Sequence, residues 1–122
     1  VEIDYSKKLL KKIDFNFNYT FNELKKGTLQ RLPKHIFNES VTYNLKNNKY
    51  LSFIYRFRGK REVLGGSEIL NSYGLMDIRY SFTKGKVNFN FWVNNLLNKE
   101  YVEILNYSSK GRNLRFGISY DF

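Results

Sequence analysis

Five side chains could bind something: Tyr73, Trp92, Tyr101, Tyr107 and Arg112. A ring with a polar tip beside a cation suits an anionic chelate. The same rings also suit an aromatic belt at a membrane interface, or simple loop packing. Reaction chemistry is harder to find. The chain has one histidine and no cysteine, so it has no thiolate and no cluster of metal ligands. No Ser-His-acid order and no phosphate loop is present. Gly65 and Gly66 read as a loop turn, because no helix pattern follows them. His35 follows Pro33 at the start of a strand pattern, which favours a structural role over ligand contact. The residues predict no enzyme, no cofactor and no metal site.

Net charge is +10 over 122 residues. A nucleic-acid surface needs that charge clustered beside stacking rings. Here Lys and Arg fall in turns such as "SKKLLKK" and "TKGK", or on strand faces opposite the aromatics. No nucleic-acid partner is expected. No apolar run approaches the ~18 residues of a membrane helix.

The elements that must position these residues follow period two. "KIDFNFNYTF" sets Ile13, Phe15, Phe17, Tyr19 and Phe21 against Asp14, Asn16, Asn18 and Thr20. "SVTYNL", "YLSFIYRFRG", "GLMDIRYSF" and "KVNFNFWVNNLL" repeat the pattern, and "VEIDY" reads as the tail of one more strand. "NLRFGISYDF" closes the chain with Leu114, Phe116, Ile118, Tyr120 and Phe122 on one parity. The pattern predicts about seven strands, most about ten residues or longer, where soluble strands run five or six. "KNNK" and "TKGK" are tight hairpin turns with Asn or Gly where positive φ is needed. "SKKLLKK" is a somewhat longer turn. Leu24 to Pro33, Lys60 to Ser72 and Asn98 to Gly111 are long connections. Short and long alternate, so all the short turns must lie at one end of the sheet.

Alternation alone fits a soluble sandwich as well. Three features favour lipid. The apolar face is unusually aromatic and carries few of the small residues that let two sheets interdigitate. Strand length suits a tilted bilayer crossing. Short turns on one side and long loops on the other match an outer-membrane barrel. Arg56 should then lie roughly opposite Asp77 as a lumenal ion pair, or be separated from it by water. Glu39 breaks the pattern by sharing parity with Val41 and Tyr43. It sits near the headgroups, or a bulge shifts the register. Seven strands would leave open edges at Val1 to Tyr5 and Leu114 to Phe122, so earlier strands are expected upstream.

Two stretches carry a resemblance. "VNNLLNKEYVEILNYSSKGRNLRFGISYDF" resembles the C-terminal end of a TonB-dependent outer-membrane receptor, through Asn95, Leu96, Asn98, Lys99, Tyr101, Gly111, Arg112, Tyr120 and Phe122. "RLPKHIFNESVTYNL" is similar to the family's Arg-x-Pro-x-His segment through Arg31, Pro33 and His35. The resemblance implies an all-β fold: residues 1–122 as one C-terminal segment of an antiparallel up-and-down transmembrane barrel, with plug and earlier strands absent. It implies a location in the outer membrane of a Gram-negative bacterium and a transporter importing a ferric siderophore, haem, cobalamin or similar ligand. It implies contact with the TonB complex through the absent N-terminal region, and with the barrel-assembly machinery through Leu114, Phe116, Ile118, Tyr120 and Phe122. Two other readings remain: a small structural or adhesive outer-membrane barrel, and a soluble β-sandwich binding module.

Overall fold

The computed structural model describes residues 1–9, 11–23, 32–63 and 68–122. Its strands, in chain order, are β1 (Glu2–Leu9), β2 (Ile13–Phe21), β3 (His35–Leu45), β4 (Lys49–Arg58), β5 (Arg61–Glu62), β6 (Ile69–Leu70), β7 (Tyr73–Lys84), β8 (Val87–Asn94) and β9 (Asn113–Tyr120). The seven long ones form one antiparallel sheet in simple order, β1-β2-β3-β4-β7-β8-β9. The two short ones, β5 and β6, pair as a separate hairpin within the connection from β4 to β7. The three short turns therefore share one end of the sheet and the three long connections share the other. Asn47, Asn48 and Gly85 take positive φ in the two tight turns, as the sequence predicts. No closed barrel forms among the described residues: β1 and β9 are both edge strands.

Register is continuous across the sheet, so parity is kept from strand to strand. One row runs Leu9, Ile13, Tyr43, Leu51, Tyr80, Phe91 and Phe116. The next runs Lys7, Phe15, Val41, Phe53, Ile78, Val93 and Leu114. Rings touch across strands throughout this face, as between Phe37 and Phe57, Phe82 and Phe89, and Phe91 and Phe116. Each such pair adds about 0.5–1.5 kcal/mol beyond its buried area. No second sheet covers them among the described residues: Phe53 is 41% exposed, Phe91 43% and Leu114 79%. This is a broad, uncovered aromatic surface.

The opposite face is polar and cross-bonded. Arg58 Nη1 donates to Asn38 Oδ1 (3.0 Å), Asn38 Nδ2 to Asn18 Oδ1 (3.1 Å), and Asn18 Nδ2 to Asp4 Oδ1 (2.6 Å). A cation and a carboxylate are thus linked through two amides over four strands. Thr42 bonds Ser52, Arg79 bonds Asn90, Thr83 bonds Asn88, and Asn88 bonds Asp121. Every neighbouring pair of long strands is joined by at least one such side-chain bond, including Arg56 to Asp77 and Asn94 to Asn113.

Several expectations are corrected. "SKKLLKK" is not mainly turn: β1 continues to Leu9, because Lys7, Lys8 and Leu9 pair with Phe15, Asp14 and Ile13. Strands β3, β4 and β7 reach ten residues or more, while β1, β2, β8 and β9 have eight or nine. The last strand does not run flush to Phe122. It ends at Tyr120, where β8 offers no further partner beyond Val87, although Asp121 N–H still reaches the Lys86 carbonyl (2.9 Å). Glu39 sits on an unbroken register between Phe17 and Tyr55, so no bulge turns it away from the aromatic face. Asp77 lies opposite Ile54 rather than Arg56. The ion pair forms all the same, diagonally, with Arg56 Nη2 at 2.5 Å from Asp77 Oδ2 and no gap for water.

Candidate ligand site at the loop end of the sheet

The described residues buried most deeply are not on the aromatic face. Tyr73, Leu75 and Asp77 lie on the polar face of β7, and Arg61 and Asn95 join them in burial. What covers them is the connection from Asn95 to Arg112, folded back over the sheet. Its folding starts at Asn95, which is only 3% exposed and has φ +50°. Asn95 N–H donates to Asp77 Oδ1 (2.8 Å), and its side-chain amide donates to the Lys99 carbonyl (2.9 Å) while accepting from Lys99 N–H (2.8 Å). Asp77 therefore accepts both from Arg56 and from the first residue of the loop. Asn is one of the few residues that reaches positive φ at modest cost, and its amide also closes the turn.

The neck of the loop is tied at Asn98, whose Oδ1 accepts from Arg112 N–H (2.8 Å). A Cβ at Gly111 would stand 2.9 Å from that oxygen, so a larger residue there would push the Asn98 side chain out of this bond. Leu96 N–H donates to the Met76 carbonyl (2.7 Å), prolonging the β7 ladder by one bond beyond β8.

Further along, the loop is held by Arg61. Its Nη2 donates to the carbonyls of Val102 (2.9 Å) and Glu103 (2.6 Å), and its guanidinium lies over the Tyr73 ring, 5.5 Å from the centroid. The Tyr101 ring packs on Tyr73 with centroids 4.6 Å apart. Beside this cluster opens a cavity of about 560 Å³, between the β5–β6 hairpin and the loop. Val63, Leu70, Ile104 and Tyr107 provide apolar wall, while Arg58, Arg61, Glu62 and Glu103 provide charge. The combination of apolar wall and few polar groups is that of a small-molecule site.

Of the five binding candidates, Tyr73 and Tyr101 come together and Tyr107 lines the adjoining cavity. Trp92 and Arg112 do not join them. Trp92 lies on the polar face between Arg79 and Arg115, whose guanidinium carbons are 5.4 and 4.6 Å from its ring, and it covers Gly117. Arg112 is exposed and serves the loop neck. Pro33 is buried and its carbonyl accepts from Asn22. His35 Nδ1 is 2.9 Å from the Tyr19 hydroxyl, with Phe21 against its ring. Lys99 acts through its backbone on Asn95. Leu114, Phe116, Ile118 and Tyr120 point from edge strand β9 onto the open aromatic face, and Phe122 is fully exposed beyond it. Arg31, Gly65 and Gly66 lie outside the described residues.

Sequence reasoning missed Arg61 and Glu103. Both stand in segments with no periodicity, and only a fold that brings residues 42 positions apart into contact reveals them. A comparison with protein-family models finds no matching family, and a search of curated proteins finds no match.

Proposed function

We propose that these residues form part of the wall of an outer-membrane β-barrel transporter of the TonB-dependent type. The aromatic face meets lipid, the bonded polar face meets an enclosed lumen, and the long-loop end receives the ligand. The observation that carries this reading is the two-faced sheet. A seven-stranded meander exposes rows of Phe, Tyr, Val, Ile and Leu with nothing over them among the described residues, while polar side chains on the other side bond from strand to strand. A soluble sandwich would bury those rings against a second sheet. Strands of eight to twelve residues suit a tilted crossing of the hydrocarbon. Tight turns at one end and long loops at the other suit an outer-membrane barrel. In lipid, the unpaired backbone of β1 and β9 would cost several kcal/mol per group, so further strands must close the wall. The specific family rests on the sequence resemblance alone.

Trp92 is the one tryptophan of these 122 residues, so the lipid assignment is testable in full-length protein whose tryptophans outside them are replaced by phenylalanine. Trp92 faces the polar side and should resist quenching by brominated lipid. The double change Phe91→Trp with Trp92→Phe moves the indole to the aromatic face and should be quenched strongly. Equal quenching of both proteins would defeat the assignment. The transporter class predicts that the gene encodes, upstream of Val1, a plug-like domain and a TonB-contacting segment.

A further inference from the structure

Arg61 is the least explained charge in the described structure. It is 8% exposed, and no carboxylate lies within ion-pair distance of it among the described residues. The carbonyls of Val102 and Glu103 occupy Nη2, and Tyr73 covers one face, but Nη1 is buried without any hydrogen-bond partner among those residues. A guanidinium buried in that state is costly unless something completes it. It lines the 560 Å³ cavity, whose other walls include Val63, Leu70, Ile104 and Tyr107.

We infer that this cavity is a binding site for an organic monoanion, a carboxylate on an apolar or aromatic body, with its head group on the Arg61 guanidinium after a small side-chain shift that bares the buried Nη1. Three features select that class. The free Nη1 donates, so the head group must accept. The apolar wall requires a body that gains by leaving water. Glu62 and Glu103 offset Arg58 and Arg61 in the lining, so the surplus positive charge that a phosphate or other dianion needs is missing, and one negative charge seated on Arg61 is the most the site accommodates. A neutral polar molecule would leave the guanidinium charge uncompensated. The inference rests on the proposed reading only in taking the long-loop end as the side from which a ligand enters.

The test uses 2-naphthoate and its neutral isostere 2-naphthamide, with the purified full-length protein in maltoside micelles. Equilibrium dialysis against matched empty micelles measures binding. The naphthoate should bind roughly tenfold or more tightly than the amide, the difference a charge-assisted hydrogen bond supplies. Arg61→Gln should remove that preference. Since Arg61 also holds the loop, Ile104→Trp provides a second test: it fills the cavity, leaves Arg61 in place and should abolish binding of both probes. Equal affinity of the two probes, or naphthoate binding untouched by Ile104→Trp, would overturn the site. So would absence of binding by the native protein. If bromolipid quenching still separates the native protein from the double variant while naphthoate is ignored, the site falls and the membrane reading stands.

Discussion

At the scale of single residues, Asp77 is the junction on which sheet and loop depend. It is 6% exposed and accepts from Arg56 on a neighbouring strand and from Asn95 N–H at the loop's start. Asp77→Ala strands a buried N–H and removes the partner of Arg56. We expect a loss of about 2–3 kcal/mol, below the full cost of a broken buried pair because the Arg56 side chain remains 43% exposed and can recover water. Asp77→Asn keeps an acceptor for Asn95 and should cost about 1 kcal/mol. Denaturant unfolding gives the magnitudes. Hydrogen exchange at Asn95 should rise sharply for the alanine change and little for the asparagine. Similar exchange in both would mean that Asp77 does not anchor the loop.

At the scale of elements, strands β4 and β7 approach through a ring laid on a glycine. A Cβ at Gly74 would collide with the Tyr55 hydroxyl and ring. Gly74→Ala should therefore push the ring aside at a cost of about 1 kcal/mol or less, below that of overpacking a closed core, because Tyr55 is 38% exposed and can swing away. Adding Tyr55→Leu should recover much of that loss, since the obstacle is a side chain rather than backbone. Measured unfolding free energies of the two singles and the double close the cycle. A strictly additive result would mean that the Tyr55 ring does not rest there. The alternation of turn and loop is an element property too, and it was legible in advance. Asn47, Asn48 and Gly85 supply positive φ because few other residues do so cheaply. The hairpin of β5 and β6 was not legible, because two residues per strand are too few to show a period.

At the scale of the whole molecule, what matters is the medium on each face. Under the proposed reading, Phe91→Arg places a charge in hydrocarbon and should cost roughly 2–4 kcal/mol near the midplane. Asn90→Arg enters the polar face, where Asn90 now accepts from Arg79, and should be mild by comparison. Unfolding in lipid compares them, and equal penalties would contradict the two-faced assignment. Phe122 belongs to this scale as well. It is fully exposed, and its one ring contact among the described residues is with Tyr120, so it adds little to packing. Its deletion should leave the fold's stability unchanged yet deplete the protein from the outer membrane, if the terminal strand is an assembly signal. Unchanged surface levels, read by labelling intact cells, would remove that role.

The sequence by itself determined the seven long strands, their faces and the ends at which their connections lie. Each of these follows from local chemistry: side-chain period two, and turn residues that tolerate positive φ. It also pointed to Tyr73 and Tyr101, though not to their stacking. Only the tertiary structure decided where the loops go. Arg61, Glu103 and Asn95 are held by contacts between segments far apart in the chain, and such contacts leave no local pattern to read. Register was likewise settled by pairing: one offset put Asp77 opposite Ile54, and only a diagonal reach returned it to Arg56.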